Sequence, residues 1–240
     1  MKYALVTGST KGIGKQIAID LLKRGYFVIL NYANSDSEAN LVREEITLIS
    51  DKFSIIKANL SEFEGLDSLI KSVSEITEHI DYLVLNTAIT KRCSLNEVTR
   101  EDWNQVFNTN LTIPFFLVQK MAPILRENGR IIFIGALMGV VPHAISIAYG
   151  VSKSAIFPLA RYLVKYFIDK AITVNVIAPG FVDTPWQLDK DPSHRKRIEE
   201  KIALKRFASV EEIASTCMHL IDNGYINGEM IMMDGGYNYK

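Results

Sequence analysis

Net charge is the first thing this sequence lacks. Lys plus Arg and Asp plus Glu number 27 each in 240 residues, so the formal charge at pH 7 is zero. No global field draws the chain to nucleic acid or to an anionic membrane surface. Cysteine is scarce too. Cys93 and Cys217 lie far apart and show neither a disulfide framework nor a metal-ligand spacing. They are expected to be reduced thiols in or near a core, and no metal site is expected. Long apolar runs are missing, since none approaches the roughly 18 residues that span a bilayer. A signal-peptide layout is missing as well, because the chain runs directly into a strand-like Tyr3-Ala4-Leu5-Val6. No Pro/Gly/Ser linker or internal repeat divides the sequence. What these absences leave is one domain, residues 1–240, expected to be soluble and cytoplasmic.

What is present is a hydrophobic content of 48%, ample for a substantial core. Short runs rich in Val, Ile and Phe alternate with longer segments of helical period. Strands are expected at Tyr3–Val6, Phe27–Leu30, Phe53–Ile56, Tyr82–Leu85, Arg130–Ile134, Thr173–Ile177 and Glu229–Met233. Between the first two, Ile13, Ile17, Ala18, Leu21 and Leu22 fall on one face of a 3.6-residue period. Further helices are expected over about 38–50, 65–78, 101–127, 149–169 and 210–222. The strands read as continuous apolar runs, which suits a parallel sheet covered on both faces. Regular β-α alternation then predicts a doubly wound α/β fold.

Two motifs carry chemistry. The first strand leads into Thr7-Gly8-Ser9-Thr10-Lys11-Gly12-Ile13-Gly14 and straight into the first helix. Glycines there permit a tight turn and let backbone N–H groups approach a pyrophosphate at the positive helix end. The spacing is G-x-x-x-G-x-G, one residue removed from G-x-G-x-x-G. Downstream, Tyr149 and Lys153 stand four apart on an expected helix and so share a face. A phenol, with a reference pKa of about 10, needs a nearby cation to transfer protons near neutrality.

With these motifs the sequence resembles the short-chain dehydrogenase/reductase family along essentially all its length. Further matches are Asn86, Asn110 in Asn108-Thr109-Asn110-Leu111, Pro179-Gly180-Phe181-Val182-Asp183-Thr184 and the ending Gly228–Gly236. Among subfamilies it looks most like the 3-oxoacyl-acyl-carrier-protein reductases. The resemblance implies a single-domain Rossmann-type fold with a seven-stranded parallel sheet, and hydride transfer between a nicotinamide and a carbonyl carbon. Tyr149 would be the proton donor. Lys153 would favour the phenolate and bind the nicotinamide ribose, and Asn110 would hold a water linking Lys153 to solvent. It also implies cofactor contacts at Gly8, Ser9, Lys11, Gly12, Ile13, Gly14, Tyr32, Ala33, Asn59, Leu60, Asn86, Thr87, Ala88, Ile134, Pro179, Gly180, Val182 and Thr184. No acid follows the second strand before Asp36, and Lys11 lies in the glycine loop, so NADP(H) is expected over NAD.

The pattern breaks at two places. Ala136 stands thirteen residues before Tyr149, where the family has its catalytic serine, and Ala88 replaces a glycine near the cofactor. Ser146 and His143 are the candidate substitute donors. Ser146 also reads as a helix N-cap, and His143 as an ordinary loop residue. A lid is expected over about 181–209. Its Trp186, Leu188, Ile198, Ile202 and Leu204 either cover an acyl chain or pack among themselves. His194-Arg195-Lys196-Arg197 reads as a solvated helix face, or as a surface for an acidic carrier or a phosphorylated substrate. Arg126, Arg130, Lys165 and Lys170 are expected to flank the site and offer a carrier dock. Trp103, Phe107, Phe115, Phe157 and Tyr166 suggest a homotetramer or dimer. The expected activity is NADPH-dependent reduction of a carbonyl, foremost a 3-oxoacyl thioester of fatty acid or polyketide metabolism, small or carrier-bound. The alternatives are an NADP-linked dehydrogenase of a sugar, cyclic alcohol or secondary-metabolite ketone, and a catalytically weak dinucleotide-binding sensor or silent subunit.

Overall fold

A computed structural model describes residues 1–187 and 191–239, so Leu188 of the expected lid lies outside the described residues. The strands are β1 (Tyr3–Val6), β2 (Phe27–Tyr32), β3 (Phe53–Lys57), β4 (Ile80–Leu85), β5 (Leu125–Ile134), β6 (Thr173–Pro179) and β7 (Met230–Met233). They form one seven-stranded sheet in the order β3-β2-β1-β4-β5-β6-β7, and every pairing is parallel. Alternate strand residues feed two cores, as a period of two requires. Leu5, Ile29, Leu83, Ile131, Phe133, Val174 and Val176 belong to one core, packed by α3 (Phe63–Ile76), α5 (Ile113–Met121) and α6 (Ile147–Tyr166). Ala4, Val6, Val28, Leu30, Val84 and Ile132 belong to the other, under α1 (Gly12–Lys23), α2 (Asp36–Thr47) and α8 (Val210–Asp222). The doubly wound expectation is met.

One expected helix differs. The segment 101–127 is α4 (Arg100–Phe107) and α5, joined by a π-helical turn at Asn108–Thr112. It ends at Met121, and Leu125 already pairs with Ile80 of β4. Pro123 cannot donate the next helical hydrogen bond. Lys170 Nζ instead donates to the carbonyls of Ala122 at 2.8 Å and Leu125 at 3.1 Å. A further helix, α7 (Pro192–Lys201), lies within the lid, with Asp191 capping it by accepting from the Ser193 and His194 N–H groups. Ile198 is its one buried residue, so no amphipathic stripe announces it.

The strand order reverses between β1 and β4, and chains leaving these strands diverge to opposite faces. That opens a crevice at their carboxyl ends, where ligands of such sheets bind.

Candidate active site

The crevice is a cavity of about 560 Å³. Its floor begins at the glycine loop. Gly8 and Gly12 hold φ values of +60° and +54°, a conformation that costs little only without a Cβ. Gly14 is required for a different reason. A Cβ there would stand 2.5 Å from the Gly8 carbonyl oxygen and 2.6 Å from Asn86 Nδ2. Asn86 Nδ2 donates to the carbonyls of Thr7 at 3.1 Å and Gly8 at 2.8 Å. The Asn86 and Thr87 N–H groups both donate to Thr7 Oγ1, so the ends of β1 and β4 are laced together.

These residues fit a dinucleotide on structural grounds. The N-terminus of α1 has no side-chain cap, which leaves its N–H groups available to an anion. Thr87 Oγ1 is buried with no hydrogen-bond partner, and Thr87 lines the cavity. Ala88 also lines it and is not among the residues with positive φ, so its methyl imposes no backbone strain. Ser9 is different. Fully buried, its hydroxyl donates to the Val6 carbonyl at 2.8 Å and accepts from the Asn31 N–H at 3.0 Å. It shapes the loop and does not line the cavity.

Beyond β2 the polar groups pair with each other. Tyr32 donates to Asp36 Oδ1 at 2.7 Å, and Lys57 to Asp36 Oδ2 at 2.8 Å. Lys11 meets Glu38 at 3.2 Å, an exposed pair of little worth in water. Asn59 Oδ1 accepts from the Ser61 N–H at 3.2 Å, and Leu60 is buried. Of this group only Lys11 lines the cavity; Tyr32, Ala33, Asn59 and Leu60 stand outside its wall.

The tyrosine–lysine pair sits on α6. Tyr149 and Lys153 both line the cavity, and Lys153 Nζ lies 5.9 Å from the Tyr149 ring centroid. The ammonium donates to the Ile134 carbonyl at 2.6 Å, which orients it at the end of β5. Burial pushes the Tyr149 phenol up to about 12, opposed by the charge of Arg92. Burial pulls Lys153 down to about 8. Both shifts disfavour the charged form, as desolvation must. Asn110 is held inside the π-helical turn. Its Oδ1 accepts from the Ile89 N–H at 2.9 Å, and its Nδ2 donates to the Ile89 carbonyl and to Ser152 Oγ, both at 3.0 Å. Ser152 Oγ in turn donates to the Tyr149 carbonyl at 2.8 Å. Asn110 therefore braces the helix beneath the pair and lies behind the cavity wall.

Ala136 lines the cavity, and so does Ser146. Ser146 occupies the N-cap position of α6 but makes no cap hydrogen bond. At 3% exposure it is buried. His143 is exposed and outside the cavity wall. Trp186 reaches over the site, edge-on to Tyr149 with centroids 6.2 Å apart. Ile198 and Ile202 instead form the lid's own core with Phe207, and Leu204 is exposed.

Two readings of surface cations are corrected. Arg130 pairs with Thr173 and Tyr82 near the amino ends of their strands, opposite the cavity, and Arg126 approaches Asp81 there. Lys170 is committed to the carbonyls at the end of α5. Sequence proximity to β5 and α6 had suggested the site, but a strand carries its two ends to opposite sides of the sheet. Within the lid, Arg195 binds Asp183 and Glu199 and stacks on Phe207 at 4.3 Å; it is structural. Arg92, Gln187, Leu137 and Met138 also line the cavity, and no local pattern marks them.

A glycine cradle at the switch point, sharing its cavity with a tyrosine–lysine pair, defines a nicotinamide-dinucleotide oxidoreductase. Comparison narrows this. A family described as enoyl-(acyl carrier protein) reductase matches residues 8–238. The chain is 34% identical over 239 residues to the 3-oxoacyl-[acyl-carrier-protein] reductase FabG of Staphylococcus epidermidis, covering 98% of each. A short-chain dehydrogenase/reductase from Serratia marcescens superposes with a TM-score of 0.93 at 29% identity, covering 98% of this chain and 97% of that one. A short chain dehydrogenase from Burkholderia cenocepacia, in complex with NADP, gives the same score and identity over 99% and 98%. The protein belongs to the short-chain dehydrogenase/reductase family and is an oxidoreductase of that family.

Proposed function

We propose that this protein reduces a carbonyl to a secondary alcohol with NADPH, and that the carbonyl is foremost that of a 3-oxoacyl thioester. The observation that carries the reading is Tyr149 and Lys153 in one cavity with the glycine cradle. The name of the Staphylococcus relative supports the substrate, and the NADP in the Burkholderia structure supports the cofactor. So does the residue at the end of β2, where Asn31 takes the place of an acid. Its Nδ2 turns inward to the Ala58 carbonyl at 3.0 Å and presents no carboxylate to repel a 2′-phosphate. Glu38 holds Lys11 only at the surface, so the lysine is free to exchange partners.

The bound nicotinamide supplies the hydride that the carbonyl carbon accepts. The chain's residues manage the proton. Tyr149 gives its phenolic proton to the oxygen as negative charge develops there. Lys153 stabilises the phenolate left behind, and Asn110 steadies the helix that carries both residues through Ser152. Ala136 has no hydrogen to donate to that oxygen. Ser146 is the hydroxyl that takes its place, buried beside Tyr149 and unused by the helix. We further place the protein in the cytoplasm as a homodimer or homotetramer. Val151, Tyr162 and Tyr166, exposed along α6, support assembly through that helix.

Acetoacetyl thioester reduction, followed through loss of NADPH absorbance, tests the reading. Tyr149→Phe is expected to remove general acid catalysis, about 10²–10⁴-fold, with NADPH still bound. Tight NADPH binding without turnover on any carbonyl would instead favour a sensor or silent subunit, the reading Ala136 motivates.

A further inference from the structure

Among the described residues lining the cavity there are three cations, Lys11, Arg92 and Lys153, and no carboxylate. Two of the three are occupied. Lys11 meets Glu38 at the dinucleotide end, and Lys153 holds the Ile134 carbonyl in the centre. Arg92 lies in the loop after β4. Its neighbour Lys91 is tied down by Asp102 at 3.2 Å, but Arg92 has no ion pair or hydrogen bond among the described residues. The same wall carries Leu137, Met138 and Trp186, together with Gln187, whose Oε1 is buried and unpartnered. Arg92 is exposed to solvent and borders the cavity. Its positive charge favours the ionised Tyr149 phenol, against the effect of burial.

We infer that Arg92 is an anion subsite at the substrate end of the cavity, and that the substrate joins its reacting carbonyl to an anionic oxygen group. The inference rests on the carbonyl-reduction reading and specifies its substrate. A guanidinium offers a planar fork to a carboxylate or a phosphate. Leu137, Met138 and Trp186 enclose the apolar segment between that group and the carbonyl, while the unpartnered Gln187 acceptor takes a donor such as an amide N–H. Among the described residues the wall carries no carboxylate to oppose an approaching anion. The anion belongs either to a free oxo acid or to the phosphate of a phosphopantetheine arm.

Paired substrates separate these sources. Acetoacetate is compared with methyl acetoacetate, and acetoacetyl phosphopantetheine with acetoacetyl pantetheine, in the wild type, Arg92→Lys and Arg92→Gln. The expected result is that kcat/KM for the anionic member over its neutral partner falls roughly ten- to hundred-fold in Arg92→Gln and less in Arg92→Lys. The pair that responds identifies the source. Ratios unchanged in both pairs would overturn the subsite. Absence of turnover in the wild type would sink the reductase reading by itself. The subsite is then decided by calorimetric binding of 3-hydroxybutyrate and its methyl ester to the NADP complex. A preference for the acid that Arg92→Gln removes supports it, and equal binding overturns it.

Discussion

The substitution that most sharply tests the site chemistry is a two-residue cycle at Ala136 and Ser146. Removing one hydrogen-bond donor to the substrate oxygen costs on the order of 3 kcal/mol, or 10²–10³-fold in kcat. If Ser146 is that donor, Ser146→Ala should lose about two orders of magnitude. Stability should barely change. An N-cap serine would contribute about 0.5–2 kcal/mol, but Ser146 makes no cap bond. Deleting a hydroxyl that has no hydrogen-bond partner among the described residues leaves nothing newly unpaired, so the change should stay within about 1 kcal/mol. Ala136→Ser alone should alter kcat little, because the oxygen already has a donor. In the Ser146→Ala background the same change should recover at least about ten-fold, giving a large non-additive term. Steady-state kinetics on acetoacetyl thioesters and a denaturant titration of each variant supply the cycle. A hundred-fold gain from Ala136→Ser alone would refute the reasoning, since it would show the wild type running without a donor. So would an unchanged rate in Ser146→Ala.

Other consequences follow from burial and packing. Lys153 is 6% exposed and its pKa falls from 10.5 to about 8 through burial. The unfolded chain therefore binds more protons between those values, and stability rises with pH across that window. Below it the charge costs about 3 kcal/mol, partly offset by the bond to Ile134. Ligand-free Lys153→Met should accordingly melt roughly 2–6 °C higher at pH 7 while losing activity, with the gap narrowing towards pH 10; a lower melting point at pH 7 would contradict this. Gly14→Ala places a methyl 2.5 Å from the Gly8 carbonyl oxygen, so it should cost about 1–3 kcal/mol and weaken dinucleotide binding in a fluorescence titration. Unaltered affinity would mean that the loop does not grip the cofactor. Tyr162 and Tyr166 are 78% and 72% exposed; Tyr162→Glu with Tyr166→Glu should shift sedimentation towards monomer, and an unchanged assembly would move the interface elsewhere.

Features that depend on neighbours along the chain were legible in the residues alone. Apolar strands alternating with periodic helices led to the doubly wound sheet, because burial on two faces leaves a pattern within each strand. Gly8, Gly12 and Gly14 marked the turn into α1, and the four-residue step from Tyr149 to Lys153 placed both on one helical face. Local signals were silent wherever distant segments meet. Pro123 could have warned that the helix through 101–127 stops early, but only Lys170, from beyond α6, completes its end. Arg130 and Lys170 looked near the site along the chain, yet the sheet carries them to its opposite edge. His143 and Ser146 were equivalent candidates on paper. Folding buries Ser146, at the start of α6 in the cavity wall, and leaves His143 exposed in the preceding loop. Arg92 carries no mark in the sequence, since its meaning depends on which carboxylates the fold puts within reach. Spacing singled out Tyr149, the proposed proton donor; three-dimensional packing alone decided which groups surround its hydroxyl.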